Sequence, residues 1–301
     1  MTTTQPASEA TAQPAPDTLP EHAGRKCHNV LNPLHSALYF SPDLAAELTA
    51  LGLTNRAGYF AGRAAALGAV GPGAVAATFY NFKYELVAEH LPALWSTVSP
   101  AQVLRARLSA ADTTLRRLLG EETVASAEMA EAAQLALEAT RGCTPHARPL
   151  YAAHADLPVP QEPHLALWHA ATLLREHRGD GHLAVLLDEE LDGLEAVVSH
   201  TASGKGMNRT WVMSTRGWDE SEWAAAEGRL RDRGLLDAEG TLTEAGVAMR
   251  QRVEERTDRL DRAPYAHLGA AGVARLTELG TAFTRQALAA GAFPADLFGA
   301  R

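Results

Sequence analysis

The 301-residue chain contains only two cysteines, Cys27 and Cys143, and no CxxC spacing. That scarcity excludes a disulfide framework and a thiolate zinc site, and it fits a reducing compartment. Long apolar runs are missing as well. Nothing approaches the roughly 20 residues a membrane helix requires, so the cytoplasm is the expected location. GxSxG, GxGxxG, HExxH, GxxxxGK[ST] and paired-carboxylate signatures are all lacking. A nucleotide cofactor is therefore not expected. The glycines of GAVGPGAV break a helix and do not follow a strand, which argues against a dinucleotide fold.

What is present describes a globular, acidic protein. Hydrophobic residues make up 46%, charged residues 21%, and the formal charge is -9. A chain this acidic gains little from a polyanion unless Lys and Arg concentrate on one face. The length suits two modest domains. Residues 1–24 (MTTTQPASEATAQPAPDTLPEHAG) have no apolar h-region and read as a flexible tail, not a signal peptide. Residues 25–141 read as a helical domain, 142–162 as an extended connector and 163–301 as a second helical domain.

Local signals support an all-α chain. Ser41-Pro42-Asp43 starts a helix with a capping serine and a proline at its first position. Ser99-Pro100-Ala101-Gln102 spells a capping box. A helix after Gly71-Pro72-Gly73 is expected to run on through TFYNFKYELVAEHLPALW. A helix primed by Pro163 is expected to close near Gly179, with His182 starting the next. Gly234 should end a helix, Leu235-Leu236 begin a short strand, and Asp237–Gly240 turn back into Thr241-Leu242. Thr243 should cap the following helix. The expected unit is a helix, a two-stranded wing and a helix.

The run LRDRGLLDAEGTLTEAGVAMRQRVEERTDRL resembles the MarR-type winged helix in Leu230, Arg233-Gly234-Leu235-Leu236, Gly240, Leu242-Thr243 and Gly246. The whole chain from PLHSALYFSPD onward also resembles an actinobacterial family known only as helix-turn-helix. Its matching stretches are GYFAGRAAALG, TFYNF, PHLALWHAATLLREHRGDGH and RGWDESEW. The resemblance implies a fold and no mechanism. In MarR proteins the helix before the wing enters the major groove, and here that helix is 219–234. It holds Asp219, Glu220, Glu222, Glu227 and Asp232 against Arg229, Arg231 and Arg233, and its first turn holds only acids. The wing turn adds Asp237 and Glu239. A phosphate-lined groove would be repelled where it needs donors, so DNA is not the expected partner. Some basic surface survives in SGKGMNRTWVMSTRG, where Lys205, Arg209 and Arg216 lie among glycines, as either a solvated loop or a lid over a pocket.

Histidines concentrate in one stretch holding His164, Trp168, His169, His177 and His182. His177 and His182 bracket Arg178-Gly179-Asp180-Gly181 and are placed to face one point where two helices meet. Three readings compete for them. One is metal coordination by His177 and His182 with Asp180 or Glu176, haem being a variant. Another is proton transfer. The third is helix-end capping, with Arg178 and Asp180 pairing locally. His35 lies one turn before Tyr39, and with Phe60, Tyr80, Phe82 and Trp95 it forms either an aromatic core or a cavity wall.

The MarR resemblance implies a ligand crevice beside the winged helix. There Tyr39 and His35 would face Trp168, His169, His177, Arg178, Asp180 and His182. The expected function is small-molecule binding, with possible catalysis by His35, His169, His177 or His182. The alternatives are a transcriptional regulator and a scaffold for a protein partner. A homodimer through Leu276, Leu279, Phe283 and Leu288 of the final helix is also expected.

Overall fold

The structure is a computed structural model that describes residues 18–294 and 297. Most of the expected tail, residues 1–17, lies outside the described residues. The described chain is helical throughout, and its element boundaries follow the local chemistry closely. Helix α1 (Ala23–Ser36) leads through a 3-10 turn at Ala37–Phe40 into α2 (Pro42–Ala50). Ser41 caps α2 by accepting the amide of Asp43 at 3.1 Å. Next come α3 (Asn55–Ala64), α4 (Pro72–Phe79), α5 (Tyr84–Ala88) and α6 (Leu94–Thr97). The single helix expected after Gly73 is thus three. Tyr80 leaves α4 at φ 58, outside the helical range, and Pro92 follows a cis bond.

Helix α7 (Pro100–Val124) opens with the expected capping box of Ser99 and Gln102. Helices α8 (Ala127–Thr140) and α9 (Pro149–Ala155) follow. The connector expected to be extended therefore contains about two helical turns, with Pro149 at their start. Helix α10 runs unbroken from Pro163 to Asp188, correcting the break expected at Gly179. Glycine weakens a helix interior by about 1 kcal/mol but does not stop it when packing demands continuity. At Gly181 a Cβ would lie 2.6 Å from the Arg148 guanidinium, so the missing side chain is what admits that arginine.

The remaining helices are α11 (Gly193–Ala202), α12 (Arg209–Arg216), α13 (Glu220–Asp232), α14 (Glu244–Leu260) and α15 (Arg262–Ala289). Thr243 caps α14 as expected, accepting the Gly246 amide at 3.1 Å. The expected two-stranded wing is not formed. Among the described residues there is one isolated antiparallel bridge, Leu236 to Leu242. Of the eight residues between Gly234 and Thr243, the Asp237–Thr241 turn takes five, which leaves one bridged pair. Asp237 closes the turn through its carboxylate to the amides of Glu239 and Thr241.

Two apolar cores form. The larger gathers α1 to α8, the first half of α10 and α15. The smaller joins the end of α10 to α11, α13 and α14, with Trp223 at its centre. The last helix returns to pack on α1 and α8. Leu276, Leu279 and Phe283, on which a dimer was expected, are buried there, while Leu288 is exposed. Among the described residues no single helix is long and apolar enough to cross a membrane.

Candidate functional site

A cavity of about 1680 Å³ opens between the two cores. Its walls come from α1, α3, the α4–α5 link, α10, α11, α12 and α14, and Phe293 and Leu297 contribute from the C-terminal segment. Drug-sized ligands commonly occupy roughly 300–1,000 Å³, so the space admits a substantial small molecule.

Of the residues expected at a site, Tyr39, Phe60, Phe82, Arg178, Asp180 and His182 line this cavity. The others do not. His35 is fully buried, with its ring 6.2 Å from Trp168 and nearly parallel to it. The Thr172 hydroxyl donates to the Trp168 carbonyl at 2.9 Å, so it accepts from His35 Nδ1–H at 2.8 Å. Nδ1 is fixed as the protonated nitrogen, and Nε2 faces the interior without a partner. His35 and Trp168 thus belong to the core beneath Tyr39. Arg107 stacks over the Trp168 ring and donates to the Tyr39 hydroxyl at 3.3 Å, tying that core to the cavity wall. His169 is buried outside the cavity, and burial together with Arg107 holds it down to about 4.

His177 and His182 diverge, because five residues along one continuous helix turn the direction by about 140°. His177 is buried and donates from Nδ1 to Asp261 at 2.7 Å, with Tyr151 edge-on to its ring. His182 faces the cavity from the other side. No group of three or more His, Cys, Asp or Glu among the described residues is arranged to hold a metal ion. The expectation of a shared metal site at this pair is corrected by the unbroken helix. Tyr80 is directed elsewhere. It lines a smaller recess of about 460 Å³ with Trp218 and donates to the Leu191 carbonyl at 2.5 Å. Trp95 is also away from the main cavity, donating to the Val70 carbonyl at 2.9 Å.

His182 retains a basic nitrogen toward the cavity. Thr257 donates to the Val253 carbonyl at 2.7 Å and so accepts from His182 Nδ1–H at 2.9 Å, which leaves Nε2 unprotonated. Burial first, then Arg250, Arg178 and His200, keep this imidazole below its ordinary pKa, with Glu254 opposing them. Asp180 shifts the other way. Burial and the Glu176 charge raise it to about 6, against a 2.9 Å bond from the Tyr151 amide, and its Oδ1 has no partner. Arg178 pairs with Asp258 at 2.9 Å and Glu254 at 3.3 Å, and not with Asp180.

Three cavity residues escaped the sequence reading or its central argument. Tyr59 and Arg63 lie one turn apart on α3, and Arg216 ends α12. The Arg63 guanidinium lies 4.0 Å from the Phe79 ring centroid, and that of Arg216 lies 4.2 Å from the centroid of Phe82. Tyr59 packs against both rings, 6.5 and 5.5 Å from them. A charged residue on the apolar face of GYFAGRAAALG was the available signal. Phe60 drew attention as the aromatic, although Arg63 was the anomaly. The basic loop containing Arg216 was recognised, but not which way it folds.

On α13 all three arginines are already engaged. Arg229 binds Glu195 at 2.8 Å and Asp192 at 2.7 Å, while Arg231 binds Glu227 at 3.0 Å. Arg233 donates to the carbonyls of Glu189 and Glu190 at 2.8 and 2.7 Å. Asp219 caps the helix in a second capping box with Glu222, whose other oxygen meets Lys83 at 2.6 Å.

Helices α11, α12, α13 and α14 follow one another here, with the tight turn between α13 and α14. The chain belongs to a helix-turn-helix family, whose profile matches residues 24–294. No curated protein and no solved structure matches it.

Proposed function

We propose that this protein binds a small molecule in the cavity between its two cores and uses the helix-turn-helix as scaffold. The observation that carries this reading is the cavity itself, about 1680 Å³ and walled by residues from both cores. His182 offers its unprotonated Nε2 to the ligand, and Asp180, about 200° around the same helix, is a carboxyl raised to about 6. Both side chains line the cavity, and an unprotonated imidazole and a raised carboxyl suit proton-transfer chemistry. The order of α13, turn and α14 supports a MarR-like relationship despite the single bridge. Two free thiols suit a cytoplasmic setting.

A regulator that reads DNA is the second reading, favoured by the family to which the chain belongs. Against it stand the acidic first turn of α13 and three arginines held by neighbouring oxygens. Repulsion at the helix N-terminus would have to be overcome before any base contact formed. Mass spectrometry of a methanol extract from protein purified under native conditions tests the primary reading. A stoichiometric small molecule that is released on denaturation supports it. Tight duplex binding from the chain's own promoter region, lost when Arg229 and Arg231 are replaced by Gln, overturns the scaffold reading.

A further inference from the structure

Charge in the cavity runs against charge in the chain. The protein carries -9 overall. The cavity wall nevertheless holds seven arginines and Lys205 against four carboxylates, Glu176, Asp180, Glu254 and Glu255. The surplus is not spread evenly. Arg25, Arg175, Arg178 and Arg250 each have a carboxylate within 4.0 Å. Among the described residues, exposed Arg56 has none but donates to the Ser214 carbonyl at 3.1 Å, and the more buried Arg63 and Arg216 also have none.

Arg63 is 8% exposed and its Nε has no partner. One of its terminal nitrogens donates to the Tyr59 hydroxyl at 3.2 Å. Among the described residues Arg216 donates to Thr215 Oγ1 at 3.1 Å, with the Met207 sulfur 4.0 Å away and the Phe82 ring against its guanidinium. Glu176, the buried carboxylate whose charge reaches Arg63, is itself held by Arg175 at 2.5 Å. Leaving a charge buried without a counter-ion is costly unless something else supplies the opposite charge. Tyr59 reports the same field. Burial works to raise its phenol, yet Arg63 and Arg216 pull it below the ordinary tyrosine value.

We infer that Arg63, Arg216 and the Tyr59 hydroxyl form the head-group site for an organic anion whose apolar body lies on the Phe79–Phe82 face. The inference rests on the cavity being a ligand site and specifies its chemistry. Guanidiniums that are stacked on rings keep their N–H edges free, and those edges match an oxyanion. The rings beneath supply area for an apolar body. No covalent step is implied.

The test uses two dyes of one shape on the full-length protein. 1-Anilinonaphthalene-8-sulfonate carries an anion, and N-phenyl-1-naphthylamine has the same frame without it. Fluorescence titration should give the sulfonate at least about tenfold tighter binding, the gain of one charge-assisted hydrogen bond. Arg216→Gln should lower the sulfonate's affinity more than the neutral dye's and so erase that preference. Because Arg63→Gln alters a buried side chain, its circular dichroism and melting are checked first, and Arg216→Lys serves as the partial-rescue variant. Equal affinity for the two dyes, or a preference that survives Arg216→Gln, overturns the anion site while leaving a ligand cavity. Failure of both dyes to bind overturns the cavity reading as well.

Discussion

His154 offers a quantitative check on how the first core carries charge near the cavity wall. It is 2% exposed, donates from Nδ1 to the Leu150 carbonyl at 2.8 Å and accepts from Arg107 at Nε2, 2.9 Å away. Protonating Nε2 would set an N–H against a guanidinium. Burial first, and Arg107 second, accordingly hold His154 down to about 4, against about 6.5 in an unfolded chain. The folded value lies below the unfolded one, so the unfolded chain takes up the proton first as acid is added. The stability due to neutral His154 is complete above pH 6.5 and is lost as the pH falls from 6.5 toward 4. At pH 4.5 the loss from this one group is on the order of 2 kcal/mol. His154→Gln keeps an oxygen for Arg107 and removes the titration. Urea unfolding at pH 7.5 and pH 4.5 should show the wild type losing on the order of 2 kcal/mol more than the variant between the two conditions. Asp180, raised to about 6, contributes with the opposite sign, and it cancels because both proteins contain it. An identical pH dependence in wild type and His154→Gln would refute the assignment of a neutral, Arg107-bonded imidazole.

Two further substitutions probe how the cores are joined. Gly193 starts α11, and a Cβ there would overlap the Tyr80 carbonyl oxygen. Gly193→Ala should therefore lower stability by about 2 kcal/mol or more, and an unchanged melting temperature would show that the α4–α5 link does not press on α11. Asp219→Ala removes the cap and capping box of α13 and should cost about 1 kcal/mol in urea unfolding. A neutral result would mean that the acids of this first turn are not there for the helix.

Much of the architecture could be read along the chain because its causes are local. Ser41, Ser99 and Thr243 cap helices where their spacing to the next amides says they should. The acidic first turn of α13 was visible too, since capping and charge belong to consecutive residues. Local signals misled where a neighbour outweighed propensity. Gly179 and Gly181 read as a helix end, yet Arg148 packs across the helix at Gly181 and the helix continues. That single continuity sends His177 to Asp261 and His182 to the cavity. The wing likewise lacked length, because the cap at Thr243 starts α14 immediately after the turn.

The sequence alone determined an all-helical chain with a helix-turn-helix order, an acidic α13 and a cluster of histidines, because periodicity, caps and composition act within a few residues. Only the tertiary structure decided which of those side chains share a space. His35 and Trp168 entered the core, His182 and Asp180 reached the cavity wall, and Arg63 met the same cavity as Arg216, 153 residues later in the chain. Such convergence depends on the angles between packed helices, and those angles are set by contacts among residues far apart in the chain.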